Sequence, residues 1–204
     1  LSDARFLFLG SVYGYNFADA EVTAIKTWFE TGGKTIWVAG DSDYLGANYI
    51  VVNNTNKVLE AIGSKLRAEP TSVADPQSNC GADYRVAANV TNTEDAEVAD
   101  IVSNVSKALF HGPTLLCGYK EGTYVALETE EIENVHWVMK TSAASFINDA
   151  GPTYLPYAHV NGQQGSFVIM AVEKFAGPYN NNKIIVTGEN PYGGYQPIFS
   201  PVYY

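Results

Sequence analysis

Apolar residues open the chain as a block. Residues 5–12 (RFLFLGSV) form a run of strand length that ends in Gly and small residues, the pattern of a buried strand. A Tyr- and Gly-rich loop follows. Asp19 then stands where a helix cap is needed, and Val22, Ile25, Trp28 and Phe29 recur on one helical face until Gly32-Gly33 stops it. Residues 34–39 (KTIWVA) read as the next strand. Strand, helix and strand with short connections make a βαβ unit, which predicts parallel strands covered by helices.

The pattern continues with a helix capped by Asn54 or Thr55, carrying Val58, Leu59 and Ile62 and stopped by Gly63. Extended segments are predicted at 65–68 and 84–90. Thr93 opens a third helix with an acidic first turn (Glu94, Asp95, Glu97) and an apolar side of Val98, Ile101, Val102 and Val105. Further strands are predicted at 113–118, 124–128, 136–140 and 183–187, while 167–175 fits helix and strand equally. There is no internal repeat and no low-complexity linker. The fold class expected from this order is α/β, a flavodoxin-like three-layer sandwich with a mainly parallel sheet in one domain spanning 1–204. The abrupt close at Pro201-Val202-Tyr203-Tyr204 reads as a segment of a longer polypeptide.

Charge narrows the partners. With 12 basic and 22 acidic residues the formal charge is −10, and the basic residues are scattered singly. A phosphate backbone needs clustered Lys and Arg, so nucleic acid is excluded as a partner, and an anionic membrane is disfavoured for the same reason. No stretch has the roughly 18 apolar residues of a membrane span. Charged residues make up only 17% of the chain while Tyr occupies 14 positions, a surface chemistry common in secreted proteins. Sequons at Asn53, Asn89 and Asn104 and a single pair of cysteines, Cys80 and Cys117, point the same way. In that setting the pair is expected to form a disulfide, and the domain to be extracellular or at a cell surface.

A resemblance emerges from several short motifs taken together. They are the helix running into Trp28-Phe29-Glu30-Thr31-Gly32-Gly33, the strand ending Val38-Ala39-Gly40-Asp41, then 61–67 (AIGSKLR), 110–114 (FHGPT), 140–142 (KTS) and 185–189 (IVTGE). In this order the chain resembles the class I glutamine amidotransferase-like superfamily. It is most similar to the non-catalytic branch found in gliding-motility and intraflagellar-transport proteins and in extracytoplasmic archaeal proteins associated with ABC transporters. That resemblance implies a binding or scaffolding domain whose partners are other domains of its own polypeptide or a cell-surface protein.

Catalytic relatives carry a Gly-x-Cys-x-Gly nucleophile turn and a later His-x-Glu. Here the corresponding window, 115–119 (LLCGY), lacks both glycines, and His159 is followed by Val160-Asn161. His111, His136 and His159 are isolated in sequence, and Ser142 and Ser145 have no recognisable partner. No zinc, P-loop or dinucleotide motif occurs. A non-enzyme is therefore expected.

The polar constellation left is Gly40-Asp41-Ser42-Asp43-Tyr44 with Asn48, after one strand, and Glu189, Asn190 and Tyr192 after the last. Loops at strand C-termini meet where ligands bind in open parallel sheets, so these residues are candidates for carbohydrate or peptide binding. Asp41 and Asp43 are the candidate metal ligands, and Ca²⁺ is the one cofactor left open, although two carboxylates fall short of the roughly six to eight oxygens it takes. Asp41 capping a turn is the competing reading. Tyrosines in the predicted loops suit carbohydrate stacking or a protein interface, or simply cover loop ends. The alternative function is a hydrolase acting on an amide or glycoside, which would require Asp41, Asp43 or Glu189 to face one another.

Overall fold

The structure, a computed structural model, describes residues 1–44, 49–148, 154–175 and 181–190. The chain enters through β1 (Phe6–Leu9), α1 (Asp19–Phe29), β2 (Thr35–Ala39) and α2 (Tyr49–Ala61). β1 and β2 pair in parallel, with Leu7 opposite Ile36 and Leu9 opposite Val38. Asp19 is the first helical residue of α1 and not its cap. The Ala18 N–H instead donates to the Glu21 side chain at 2.8 Å, which satisfies one of the open donors at the helix start. The predicted apolar face, Val22, Ile25, Trp28 and Phe29, is buried.

Helix α2 starts earlier than its expected caps. Asn54 and Thr55 lie inside it and are buried. The Asn54 side chain accepts from the Phe17 N–H and donates to the Tyr15 carbonyl, and the Thr55 hydroxyl donates to the Ala39 carbonyl. These two residues tie the helix to the loop after β1 and to the end of β2.

The remaining elements are β3 (Leu66–Ala68), β4 (Ser72–Ala74), β5 (Arg85–Val90), α3 (Ala96–Ile101), β6 (Lys107–His111), β7 (Leu116–Lys120), β8 (Thr123–Ala126), β9 (Val135–Lys140), β10 (Phe146–Asn148), β11 (Val168–Lys174) and β12 (Lys183–Thr187). Seven strands form the main sheet in the order β1-β2-β12-β11-β9-β5-β6. This order corrects the expected flavodoxin-like sandwich. Only β1, β2 and β12 run parallel to their neighbours, whereas β12, β11, β9, β5 and β6 pair antiparallel in succession.

The reason lies in the connections. Parallel neighbours need a crossover of about a dozen or more residues, usually bearing a helix. Beyond α2 the described chain has only α3, six residues long, capped by Asp95 accepting from the Val98 N–H. Of its expected apolar side Val98 is buried and Val102 packs against the same core, whereas Ile101 and Val105 are exposed, and the chain turns at Asn104 with φ 65° to enter β6. Segment 167–175, open between helix and strand, is β11, a central strand buried on both faces.

Two cores flank the sheet. Ile184 and Val186 of β12 face α1, α2, β3 and β7, together with Phe29, Leu59, Leu66 and Leu116. Ile185 faces the other way, toward α3, β4 and β10 with Val98, Val73 and Ile147. The alternation is the strand period of two. Phe6, in the run that reads as a buried strand, is 52% exposed because β1 is an edge strand.

Two small antiparallel sheets complete the layers, β3-β7-β8 and β10-β4. The β7–β8 hairpin turns on Glu121 and Gly122, both with positive φ, the conformation a two-residue turn of matching twist demands. Cys80 and Cys117 are free thiols, which corrects the expected bridge. Cys117 lies inside β7 and is fully buried, whereas Cys80 is held at the edge of β5 by its N–H bond to the Arg85 carbonyl. Cys117 lies within a strand of the β3-β7-β8 sheet and Cys80 in the loop before β5.

Candidate functional site

Because β2 and β12 are adjacent and parallel, the residues that follow them share one edge of the sheet. Backbone contacts make that edge tight. The Gly40 N–H donates to the Thr187 carbonyl at 2.7 Å, and the Gly188 carbonyl accepts the Thr114 N–H at 3.0 Å. A Cβ on Gly188 would stand 2.0 Å from the Thr114 carbonyl oxygen, so only glycine fits there. Asn190 packs over Gly10 at the end of β1.

Asp41 and Glu189 meet at this edge. Asp41 accepts the Tyr13 hydroxyl on Oδ2 and the Ser42 N–H on Oδ1, the latter at 2.6 Å. Burial pushes its carboxyl up to about 6, against the pull of those two donors. Glu189 accepts the His111 N–H. Burial raises it to about 9, and the charge of Asp41 adds to the rise despite the His111 N–H. At neutral pH the arrangement therefore holds Glu189 protonated beside Asp41. Tyr13 is raised by burial and by Asp41, so it remains a phenol that donates. Burial and then Arg85 hold His111 below the usual histidine value.

The other candidates separate. Asp43 is fully buried, with its N–H directed at the Thr71 carbonyl at 3.4 Å, so it faces the interior. Tyr44 is exposed. Asn48 and Tyr192 lie outside the described residues. Among the described residues no group of three or more His, Cys, Asp or Glu is placed to hold a metal. Both Asp41 oxygens are engaged by protein donors and Asp43 faces inward, so the residues present do not fit Ca²⁺. Of the sequon asparagines, Asn53 and Asn104 are exposed, whereas Asn89 is half-buried near the end of β5, paired with Lys107 on one side and Lys140 on the other.

A second constellation was not read from the sequence. His159 lies between Glu69, Nδ1 to Oε1 at 2.6 Å, and Glu128, Nε2 to Oε2 at 3.1 Å. Its side chain is 1% exposed and that of Glu69 is 0% exposed. Burial alone would lower the imidazole, but the hydrogen bonds and charges of Glu128 and Glu69 outweigh it and raise it to about 9. The remaining oxygens are also used. Glu69 Oε2 accepts from Tyr157 and Ala158 N–H groups, and Glu128 Oε1 accepts from Val168 N–H at 2.6 Å.

Cys117 adjoins the same cluster. Burial and the neighbouring Glu69 push its thiol well above the usual value, so it is not a thiolate.

The segment His159 anchors carries a row of aromatic rings. Tyr154 stacks on Tyr49 at 3.5 Å between centroids, and Tyr157 stacks on Tyr124 at 4.5 Å. Tyr124 in turn meets Tyr119, over which the Arg67 guanidinium sits at 5.1 Å. Tyr119 and Tyr124 are exposed, as are Leu155 and Val160. This surface is supplied by α2, the β7–β8 hairpin and the 154–160 segment.

No family model matches the sequence. No curated protein matches it either. Among solved structures the chain is similar to the mmIFT52 N-terminal domain, with a TM-score of 0.56 and 12% identity, over 91% of this chain and 65% of that one. The chain thus spans about two thirds of that neighbour's length, and at this identity the likeness is one of fold. The glutamine amidotransferase-like resemblance is narrowed accordingly: no family model supports the superfamily, and what is shared is the architecture of the mmIFT52 domain.

Proposed function

We propose that the chain is a non-enzymatic binding or scaffolding domain. One observation carries the reading. The one place among the described residues where thiol, imidazole and carboxylates meet, Cys117 with Glu69, His159 and Glu128, is closed to solvent at its centre. Its thiol is held protonated and its carboxylates are consumed by backbone N–H groups. Such groups hold a structure together and offer no reacting atom to a substrate. The likeness to the mmIFT52 N-terminal domain is consistent with scaffolding, and the exposed tyrosine row supplies rigid contact area for a protein or carbohydrate partner.

Thiol labelling of the native chain without reductant tests this reading. Cys80, half-buried, is expected to react within minutes and Cys117 only on unfolding. Rapid modification of native Cys117 would return it to the ranks of nucleophiles.

We further propose an extracellular or cell-surface location. The support is the charge-poor, tyrosine-rich composition and the exposure of Asn53 and Asn104. Intact-mass and glycopeptide analysis of the protein from its native source is expected to find glycan at Asn104 and none at Asn89. Unmodified Asn104 and Asn53 together would remove the support.

A second reading is favoured by Asp41 and Glu189. A carboxyl raised to about 9 beside one at about 6 is the division of labour an acid–base hydrolase uses. Turnover of an amide or glycoside that disappears in Glu189→Gln would establish it.

A further inference from the structure

The opposite end of the sheet holds a cavity that the edge site does not use. β9 runs in the same direction as β12, because each is antiparallel to β11, so the start of β9 lies at the far edge from Glu189. A cavity of about 440 Å³ opens there, a size within the range of ligand sites. Its lining includes apolar and aromatic side chains, Leu127, Ile132, Val135 and Trp137, and carries Glu94, Glu130 and Glu131 with His136 as the one basic residue.

The neighbouring cations are already engaged. Lys174 pairs with Asp95 at 2.8 Å and with Glu97, Lys183 pairs with Glu97, and Lys120 pairs with Glu130 at 3.2 Å. Glu94 and Glu131 form no ion pair among the described residues, and both are exposed. The Trp137 ring already accepts one cation, with Lys140 Nζ 4.5 Å from its centroid.

We infer that this cavity receives a lysine or arginine side chain from a basic segment of a protein partner. The apolar lining accommodates the methylene stem of such a side chain, and Glu94 and Glu131 meet its charged head. The inference rests on the reading of the chain as a binding domain and gives that reading a surface and a partner chemistry. The chain's net charge of −10 would draw any cation, so the test separates the cavity from the general field.

Titration of the isotope-labelled chain with trilysine and triarginine peptides, followed at the three tryptophan indole N–H resonances, supplies that separation. The indoles of Trp28 and Trp37 donate to the Ala4 carbonyl and the Thr187 hydroxyl and serve as internal controls. Saturable movement of the Trp137 resonance alone is expected, with no response to triglutamate. The double substitution Glu94→Gln with Glu131→Gln is expected to weaken binding about tenfold, the equivalent of two solvent-facing ion pairs. The pair Glu60→Gln with Asp100→Asn makes the same charge change elsewhere and is expected to alter it less than twofold. Equal losses in the two double variants, or a Trp137 resonance that never moves, overturn the inference while leaving the binding-domain reading in place. Turnover at Asp41 and Glu189 would overturn that reading and leave the cavity untouched.

Discussion

Replacing His159 with alanine is expected to cost the fold about 3–5 kcal/mol near neutral pH, the effect of breaking a buried ion pair and stranding its partner. Glu69 is fully buried, and the imidazole supplies the donor to its Oε1. Its other donors are poor substitutes, since Tyr157 and Ala158 serve Oε2 and the Cys117 thiol, which also bonds this carboxylate, is a weak donor. The loss also reaches the surface. The 154–160 segment carries Tyr154 and Tyr157 onto Tyr49 and Tyr124, so the variant is expected to lose near-ultraviolet dichroism from the stacked rings.

The pH dependence separates the charge from mere packing. His159 is raised from its ordinary 6.5 to about 9 in the folded chain. Between those values the native state holds a proton that the unfolded state has released, so stability is fully present below pH 6.5 and falls as pH rises to 9. One proton sets a slope of at most about 1.4 kcal/mol per pH unit. Urea unfolding at a series of pH values reads it. A variant within about 1 kcal/mol of the wild type, or one that keeps the same slope from 6.5 to 9, would show that the cluster is not a charged clamp.

What the sequence disclosed, and what it hid, follows from how local each signal is. α1, β2 and β12 were legible because an amphipathic period or an apolar run before Gly is written within a few neighbouring residues. The meeting of Asp41 and Glu189 follows from two strand ends and a parallel pairing, both inferable. The sheet's antiparallel half was not, because period-two alternation fits either pairing and only the shortness of α3 decides between them. β6 was hidden by Val105, whose apolar character extended the predicted helix although it is exposed in a turn.

The Glu69–His159–Glu128 cluster brings together residues 90 and 31 positions apart, and no spacing rule announces such a meeting. His159 stands apart from the other histidines in sequence, so nothing beside it signals its two carboxylate partners. The tyrosines divide in the same way. Tyr44 stands in a loop as expected, whereas Tyr119 and Tyr124 face outward only because the Glu121-Gly122 turn folds two strands into a hairpin. The cysteines misled because a compartment-based preference for pairing carries no information on where two side chains point.

Glu189→Gln is the substitution expected to raise stability, and by most at alkaline pH. Glutamine keeps an oxygen for the His111 N–H and cannot ionise. In the wild type, burial and the charge of Asp41 raise the Glu189 carboxyl to about 9 from its ordinary 4.5. A raised acid binds its proton in the folded chain over a range where the unfolded chain has lost it. Stability is therefore complete below about pH 4.5 and declines as pH climbs toward 9, after which the decline from this group ends. Asp41 acts in the same direction over the lower window, from 3.8 to about 6. The difference between the wild-type and variant curves isolates Glu189, because Asp41 and His159 are present in both. That difference is expected to widen by up to about 1.4 kcal/mol per pH unit between 4.5 and 9 and to be small at pH 4. Parallel curves would mean that Glu189 already ionises freely in the folded chain, which would undo the account of the edge site as a protonated carboxyl beside Asp41. A variant that gains stability as expected and also loses a hydrolytic activity would assign that buried proton to catalysis. Gain without any change in binding would assign it to holding β12 against the end of β6.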